Sequence, residues 1–128
     1  MRKDKPLRIQ KFEKINLILD EIKELGKFKG VLFSTRDGGL ISENIGKGAD
    51  YNEFAAMCAS VLESAEGLGK TFGANKIGKI IAELEEQTIV IVECDTKSFL
   101  AFLIEKDSKI DIVFDNLTKY YQKIIDAY

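Results

Sequence analysis

"STRDGGLIS", residues 34–42, sets a charged pair and a glycine pair between two apolar runs. Such a stretch either cradles a phosphate or reverses the chain between two strands. A phosphate loop leads into a helix N-terminus, where free N–H groups converge. Here "GVLFST" (30–35) precedes and the short strand-like "LISENI" (40–45) follows. Asp37-Gly38 tolerates the positive φ angles of a tight hairpin. The stretch reads as a turn, so the first thing it builds is a sheet.

On the N-terminal side, Phe12, Ile15, Leu19 and Ile22 recur at helical spacing with Ile18 and Leu25 beside them. Pro6 suits a first helical turn, and Gly26 is expected to cap the end. On the C-terminal side, Asp50 with Glu53 three residues on has the form of a capping box. Phe54, Cys58, Val61, Ala65, Leu68 and Phe72 then step 4-3-4-3-4, which predicts one continuous apolar seam. Ala55, Ala56, Ala59, Ser60, Ser64 and Gly67 lie next to it and are nearly all small, so another helix or a sheet can approach closely.

After Gly73-Ala74-Asn75 come three strand-like runs, "KIGKIIAEL" (76–84), "TIVIVEC" (88–94) and "SFLAFLIE" (98–105), separated by short polar breaks. They predict an antiparallel meander. "IVIV" and "FLAFLI" are apolar at odd and even positions alike, so both faces of those strands must be covered. A last helix is expected from Ile110, Val113, Phe114, Leu117, Tyr121 and Ile124. The order is α-ββ-α-βββ-α.

The 128 residues make one domain, 1–128, and 45% hydrophobic residues support a packed core. A net charge of -2 is less basic than general nucleic-acid binding needs. No apolar run reaches membrane-spanning length and no signal-like segment opens the chain, so a cytoplasmic protein is expected. Residues 1–11 form a basic N-terminal tail and helix start. Through residue 14 the basic residues are Arg2, Lys3, Lys5, Arg8, Lys11 and Lys14, against Asp4 and Glu13. Those counter-charges favour a solvated helix start over a tail drawn to acidic lipid or an acidic partner.

Chemistry-bearing motifs are scarce. There is no histidine, which removes the commonest general base and metal ligand together. Cys58 and Cys94 lack metal-ligand spacing and read as buried free thiols. Asp37, Asp95 and Asp107 belong to separate turns and make a poor metal site. Gly69-Lys70-Thr71 invites a nucleotide-binding reading, but Ser64 stands where the earlier glycine belongs and the segment closes a helix instead of opening one. Arg36 is the only arginine outside the N-terminal tail. At a hairpin tip it is expected to be a solvated turn residue, with partner contact, in the manner of an arginine finger, as the other reading. A binding module is expected, with no catalytic residues, cofactor or metal.

The helix "NEFAAMCASVLESAEGLGKTFG", the strands "IGKIIAELEEQTIVIVECDTKSFLAFLIE" and the hairpin "VLFSTRDGGLISEN" together resemble the roadblock, or dynein light chain roadblock-type, family over about residues 12–125. The chain departs from the family's habits in having Lys109-Ile110-Asp111 where the last helix begins and Asp95-Thr96-Lys97 between the last two strands. The resemblance implies an α+β, profilin-like three-layer α-β-α fold. Its five-stranded antiparallel sheet would carry the second helix on one face and the terminal helices on the other. It further implies a homodimer, or a heterodimer with a paralogue, that serves as a platform for a Ras-like small GTPase. Some such proteins stimulate GTP hydrolysis without hydrolysing nucleotide themselves. A nucleotide-independent adaptor of the dynein light chain type and a small-ligand sensor are the alternatives. In the family's sheet order the third strand is an edge, where unpaired backbone groups invite a second copy. The expected dimer elements are that strand, with Lys79, Ile81 and Glu83 on one side and a two-fold at Ile81 setting Lys79 opposite Glu83, and the second helix at Ala56, Ser60 and Gly67.

Overall fold

The structure, a computed structural model, describes residues 6–74 and 76–128. Asn75 and the tail residues Arg2, Lys3, Asp4 and Lys5 lie outside the described residues. The elements are α1 (Leu7–Gly26), β1 (Gly30–Thr35), β2 (Leu40–Glu43), α2 (Tyr51–Lys70), β3 (Ile80–Glu83), β4 (Thr88–Asp95), β5 (Ser98–Ile104), α3 (Ile110–Asp115) and α4 (Leu117–Ala127). The strands form one antiparallel sheet in the order β2-β1-β5-β4-β3. This is the expected α+β arrangement, with β3 at an edge.

The two-sided burial expected of β4 and β5 is present because each face of the sheet has its own core. Val90, Val92, Leu100 and Phe102 pack against Ile15, Leu19 and Ile22 of α1, Val113 of α3, and Tyr120 and Ile124 of α4. On the opposite face Leu32, Ile91, Phe99 and Ala101 meet Ala55, Cys58, Ala59 and Leu62 of α2. The alternation of β4 and β5 therefore sorts one apolar set to the terminal helices and the other to α2.

The opening stretch is the hairpin turn. Gly38 has φ +94°, its N–H donates to Thr35 O at 3.0 Å, and Thr35 N–H donates to Gly39 O at 3.0 Å. A Cβ at Gly38 would lie 2.8 Å from the Cα of Ala56, so the turn rests directly on the α2 backbone. Asp50 caps α2 by accepting from the N–H groups of Asn52 and Glu53 at 3.1 and 3.2 Å.

Four expectations need correction. The left-handed residue ending α1 is Lys27 (φ 53°), not Gly26. Gly26 is the last helical residue, and a side chain there would strike the Phe28 ring. The last helix is two helices, broken at Asn116, whose side-chain amide donates to Ile112 O at 2.9 Å. After the break the buried tyrosine is Tyr120, while Tyr121 is only half-buried. The run over 76–84 pairs with β4 only from Ile80 to Glu83, and Ile77, before the strand, packs with Ile80 on the α2 side. Finally, the predicted seam of α2 is two faces. Phe54 and Cys58 pack toward the sheet, whereas Val61 and Leu68 are exposed and Phe72 lies beyond the helix end.

Candidate partner-binding surface

The β3 edge is built so that particular backbone groups face outward. Leu84 N–H donates to Gln87 O at 2.8 Å, closing the β3–β4 hairpin. In an antiparallel ladder, bonded and non-bonded pairs alternate. Counting back from Leu84, Ala82 and Ile80 bond with β4, at Ile89 and Ile91. The N–H and C=O of Ile81 and Glu83 are thereby turned to the open edge. The side chain of Ile81 is half exposed, and those of Glu83 and Leu84 are exposed.

A second exposed element is the outer face of α2. Met57, Val61, Ser64 and Leu68 recur at intervals of four, three and four, so they share one side of the helix, opposite Ala55, Ala59 and Leu62. Met57, Ser60, Val61 and Ser64 line a groove of about 330 Å³. Sequence reasoning passed over Met57 and assigned Val61 and Leu68 to the seam with Cys58. The 57-61-64-68 spacing was the available signal.

The expected dimer residues divide between these elements. Ala56, Ser60 and Gly67 are all exposed on α2. Ala56 carries the hairpin turn, Ser60 Oγ donates to Ala56 O at 3.2 Å, and the space beside Gly67 is open. Lys79 lies one residue before β3 and sets its ammonium 4.6 Å from the centroid of the Phe114 ring. Ile81 pairs with Val90, whose side chain belongs to the core under the terminal helices, so Ile81 shares that face.

Arg36 is not a solvated turn residue. Its guanidinium donates to Glu93 of β4 and, at 2.9 Å, to Glu66 of α2, and it is largely shielded from solvent. Arg36 N–H also donates to Lys97 O at 2.9 Å, joining the two turns at this end of the sheet. Hydrogen bonding from Arg36, aided by its charge and that of Lys70, holds the Glu66 carboxyl below its ordinary range. The Glu66 pair is thus intact at neutral pH and is lost only as pH falls through that lowered value. Asp37 is lowered as well, by the Thr35 hydroxyl and then the Gly39 backbone. Arg36, Asp37, Glu63, Glu66, Glu93 and Thr96 line an open cleft of about 460 Å³, with Ala59 at its floor. One cation among four carboxylates gives it an acidic character.

Neither cysteine is activated. Burial raises the Cys58 thiol to about 11 and raises Cys94 further, so both are held as neutral thiols. Among the described residues no group of His, Cys, Asp or Glu is placed to hold a metal ion. Gly69-Lys70-Thr71 falls at the C-terminal end of α2, where carbonyls instead of N–H groups converge. Among the described residues no helix is long and apolar enough to cross a membrane.

Comparison with known proteins agrees with this architecture. The Roadblock/LC7 domain model matches residues 14–103. MglB of Myxococcus xanthus is 20% identical, with a TM-score of 0.80 over 88% of this chain and 93% of that one. The gliding protein MglB of Thermus thermophilus is 13% identical, also at a TM-score of 0.80, over 91% and 90% respectively. A Roadblock/LC7 domain from Streptomyces avermitilis is 12% identical with a TM-score of 0.77, over 87% and 94%. No curated protein sequence matches the chain significantly. At these identities the solved structures speak to the fold, and the family model supplies the assignment: the chain belongs to the Roadblock/LC7 domain family.

Proposed function

We propose that the protein is a non-catalytic dimeric platform for a Ras-like small GTPase. The observation that carries the dimer is the combination of an open β3 edge with an apolar stripe on the outer face of α2. Large apolar side chains left together on a monomer surface mark an interaction site. An unpaired strand edge is a template for a second strand. A second copy satisfies both, and a two-fold at Ile81 would let the outward N–H and C=O of each Ile81 meet the other's. Membership of the roadblock family supports the GTPase as partner.

The partner's own residues carry the chemistry in this reading. An arginine finger needs a free guanidinium, and that of Arg36 is committed to Glu66 and Glu93. Any stimulation of hydrolysis comes from ordering groups of the GTPase. The test is a pull-down with candidate small GTPases loaded with GDP or with a GTP analogue. Preference for one nucleotide state supports a regulator. Equal capture of both states favours a nucleotide-independent adaptor, and capture of neither refutes the GTPase reading.

A further inference from the structure

We propose that the first two turns of α1 dock on the surface of an anionic lipid bilayer. The helix begins at Leu7, yet its first buried residue is Ile15. Between them Leu7 is 82% exposed, Ile9 43% and Phe12 36%. A helix end with no fully buried residue gains little from its own fold, and two turns are marginal alone. The cations of the same turns are Arg8 and Lys14, both exposed, and Lys11, whose ammonium sits 5.2 Å from the Tyr128 ring centroid.

Charge is divided along the chain in the sense a membrane would read. Residues 1–14 hold six basic and two acidic residues, which leaves thirteen basic against nineteen acidic in residues 15–128. An anionic surface attracts the first segment and repels the rest, so it selects one orientation. Apolar insertion and attraction to anionic headgroups act together at such a site. The counter-charges Asp4 and Glu13 weaken the attraction without reversing it.

The placement of the apolar groups favours a bilayer over an acidic protein. At about 100° per residue, Ile9 and Phe12 lie about 60° apart on one side of the helix, and Arg8, Lys11 and Lys14 gather within about 120° on the adjoining side. An exposed apolar side flanked by cations is the form in which a helix lies in an anionic bilayer interface, with the cations at the headgroups; an acidic protein surface needs the cations alone.

The experiment is flotation of the full chain with phosphatidylglycerol–phosphatidylcholine vesicles and with pure phosphatidylcholine vesicles, at low and high salt. Binding is expected only to the anionic vesicles and is weakened by salt. The pair Arg8→Gln with Lys14→Gln lowers partitioning by roughly 30-fold, at roughly fivefold per basic residue. The pair Leu7→Ser with Ile9→Ser lowers it as well. Circular dichroism monitors the fold of both, and should the apolar pair lose helix, the charge pair and the salt dependence decide. Failure to bind anionic vesicles, equal binding to neutral ones, or wild-type partitioning of the charge pair overturns the proposal. So does binding of a polyglutamate peptide through Arg8 and Lys14 with vesicles ignored, which assigns the segment to an acidic protein.

Discussion

Replacing Val61 with aspartate should dissolve self-association while leaving the subunit folded. Met57, Val61 and Leu68 are 62%, 43% and 66% exposed in the single subunit. Roughly half or more of each side chain therefore remains to be covered. At ~1.5–3 kcal/mol for full burial of such a side chain, the stripe contributes roughly 3–5 kcal/mol per protomer and roughly 5–10 for a two-fold pair. Association costs on the order of 4–15 kcal/mol in lost freedom. The stripe alone is thus near break-even, and in the proposed dimer pairing of the β3 edges would have to supply the surplus. An aspartate at Val61 removes one side chain from the stripe and places a carboxylate in the surface that a second copy would cover.

Both copies change at once, so a loss of about 2 kcal/mol per site becomes about 4 kcal/mol per dimer, close to a 1,000-fold rise in Kd. Sedimentation velocity over a concentration series measures it. Thermal unfolding of the dilute protein reports whether the subunit still folds, as expected for a substitution on an exposed helical face. Leu17→Asp, more exposed than Val61 and on α1, is the control and should leave Kd unchanged. The reasoning fails if the wild type stays monomeric at micromolar concentration, or if Val61→Asp dimerises as tightly as the wild type.

Ile81→Pro should also weaken the dimer, because it deletes an N–H turned to the open edge while the bonds of Ile80 and Ala82 to β4 remain; light scattering that still gives twice the chain mass would refute the edge pairing. Arg36→Ala should change stimulated GTP hydrolysis by less than about tenfold, since an arginine finger is worth far more, and a collapse to the intrinsic rate would show that the guanidinium leaves Glu66 and Glu93. Gly38→Ala should cost ~2–3 kcal/mol, from a positive φ and a Cβ pressed on the Ala56 backbone, and an unchanged Tm would contradict that packing. Cys58, its thiol raised to about 11 by burial, should resist iodoacetamide at mildly alkaline pH in the native protein and react at once in denaturant; rapid native alkylation would place it outside the core.

What the sequence made legible was whatever has one local cause. Asp37-Gly38 specified the hairpin because few backbones permit that turn, and Asp50 specified the start of α2 because a carboxylate there satisfies two free N–H groups. The apolar runs of β4 and β5 implied two covered faces, and two cores are found. The failures share a different cause, which is dependence on a neighbour distant in sequence. Arg36 looked solvated because Glu66 and Glu93 are 30 and 57 residues away. Gly26 looked like a cap because the Phe28 ring that requires its smallness is placed only when the chain reverses through Lys27. The seam on α2 merged two faces because Cys58 and Val61 lie only about 60° apart around the helix, so the arc that the spacing defines straddles the boundary between the sheet side and the outer side.

That ambiguity on α2 has a physical meaning. In a helix that merely covers its own sheet, the largest apolar residues belong inside, where each buried methylene contributes ~0.8 kcal/mol. Here the inward face is Ala55, Cys58, Ala59 and Leu62, mostly small, while Met57, Val61 and Leu68 point outward. Small inward residues bring the helix close to the sheet and let the turn at Gly38 rest on the backbone of Ala56. They also forgo much of the stabilisation that larger side chains would provide there. The outward residues recover it only when something covers them. A chain with this distribution gains most from the state in which α2 has apolar surface on both sides, and the sheet edge at Ile81 and Glu83 offers the outward backbone groups that the proposed second subunit would meet.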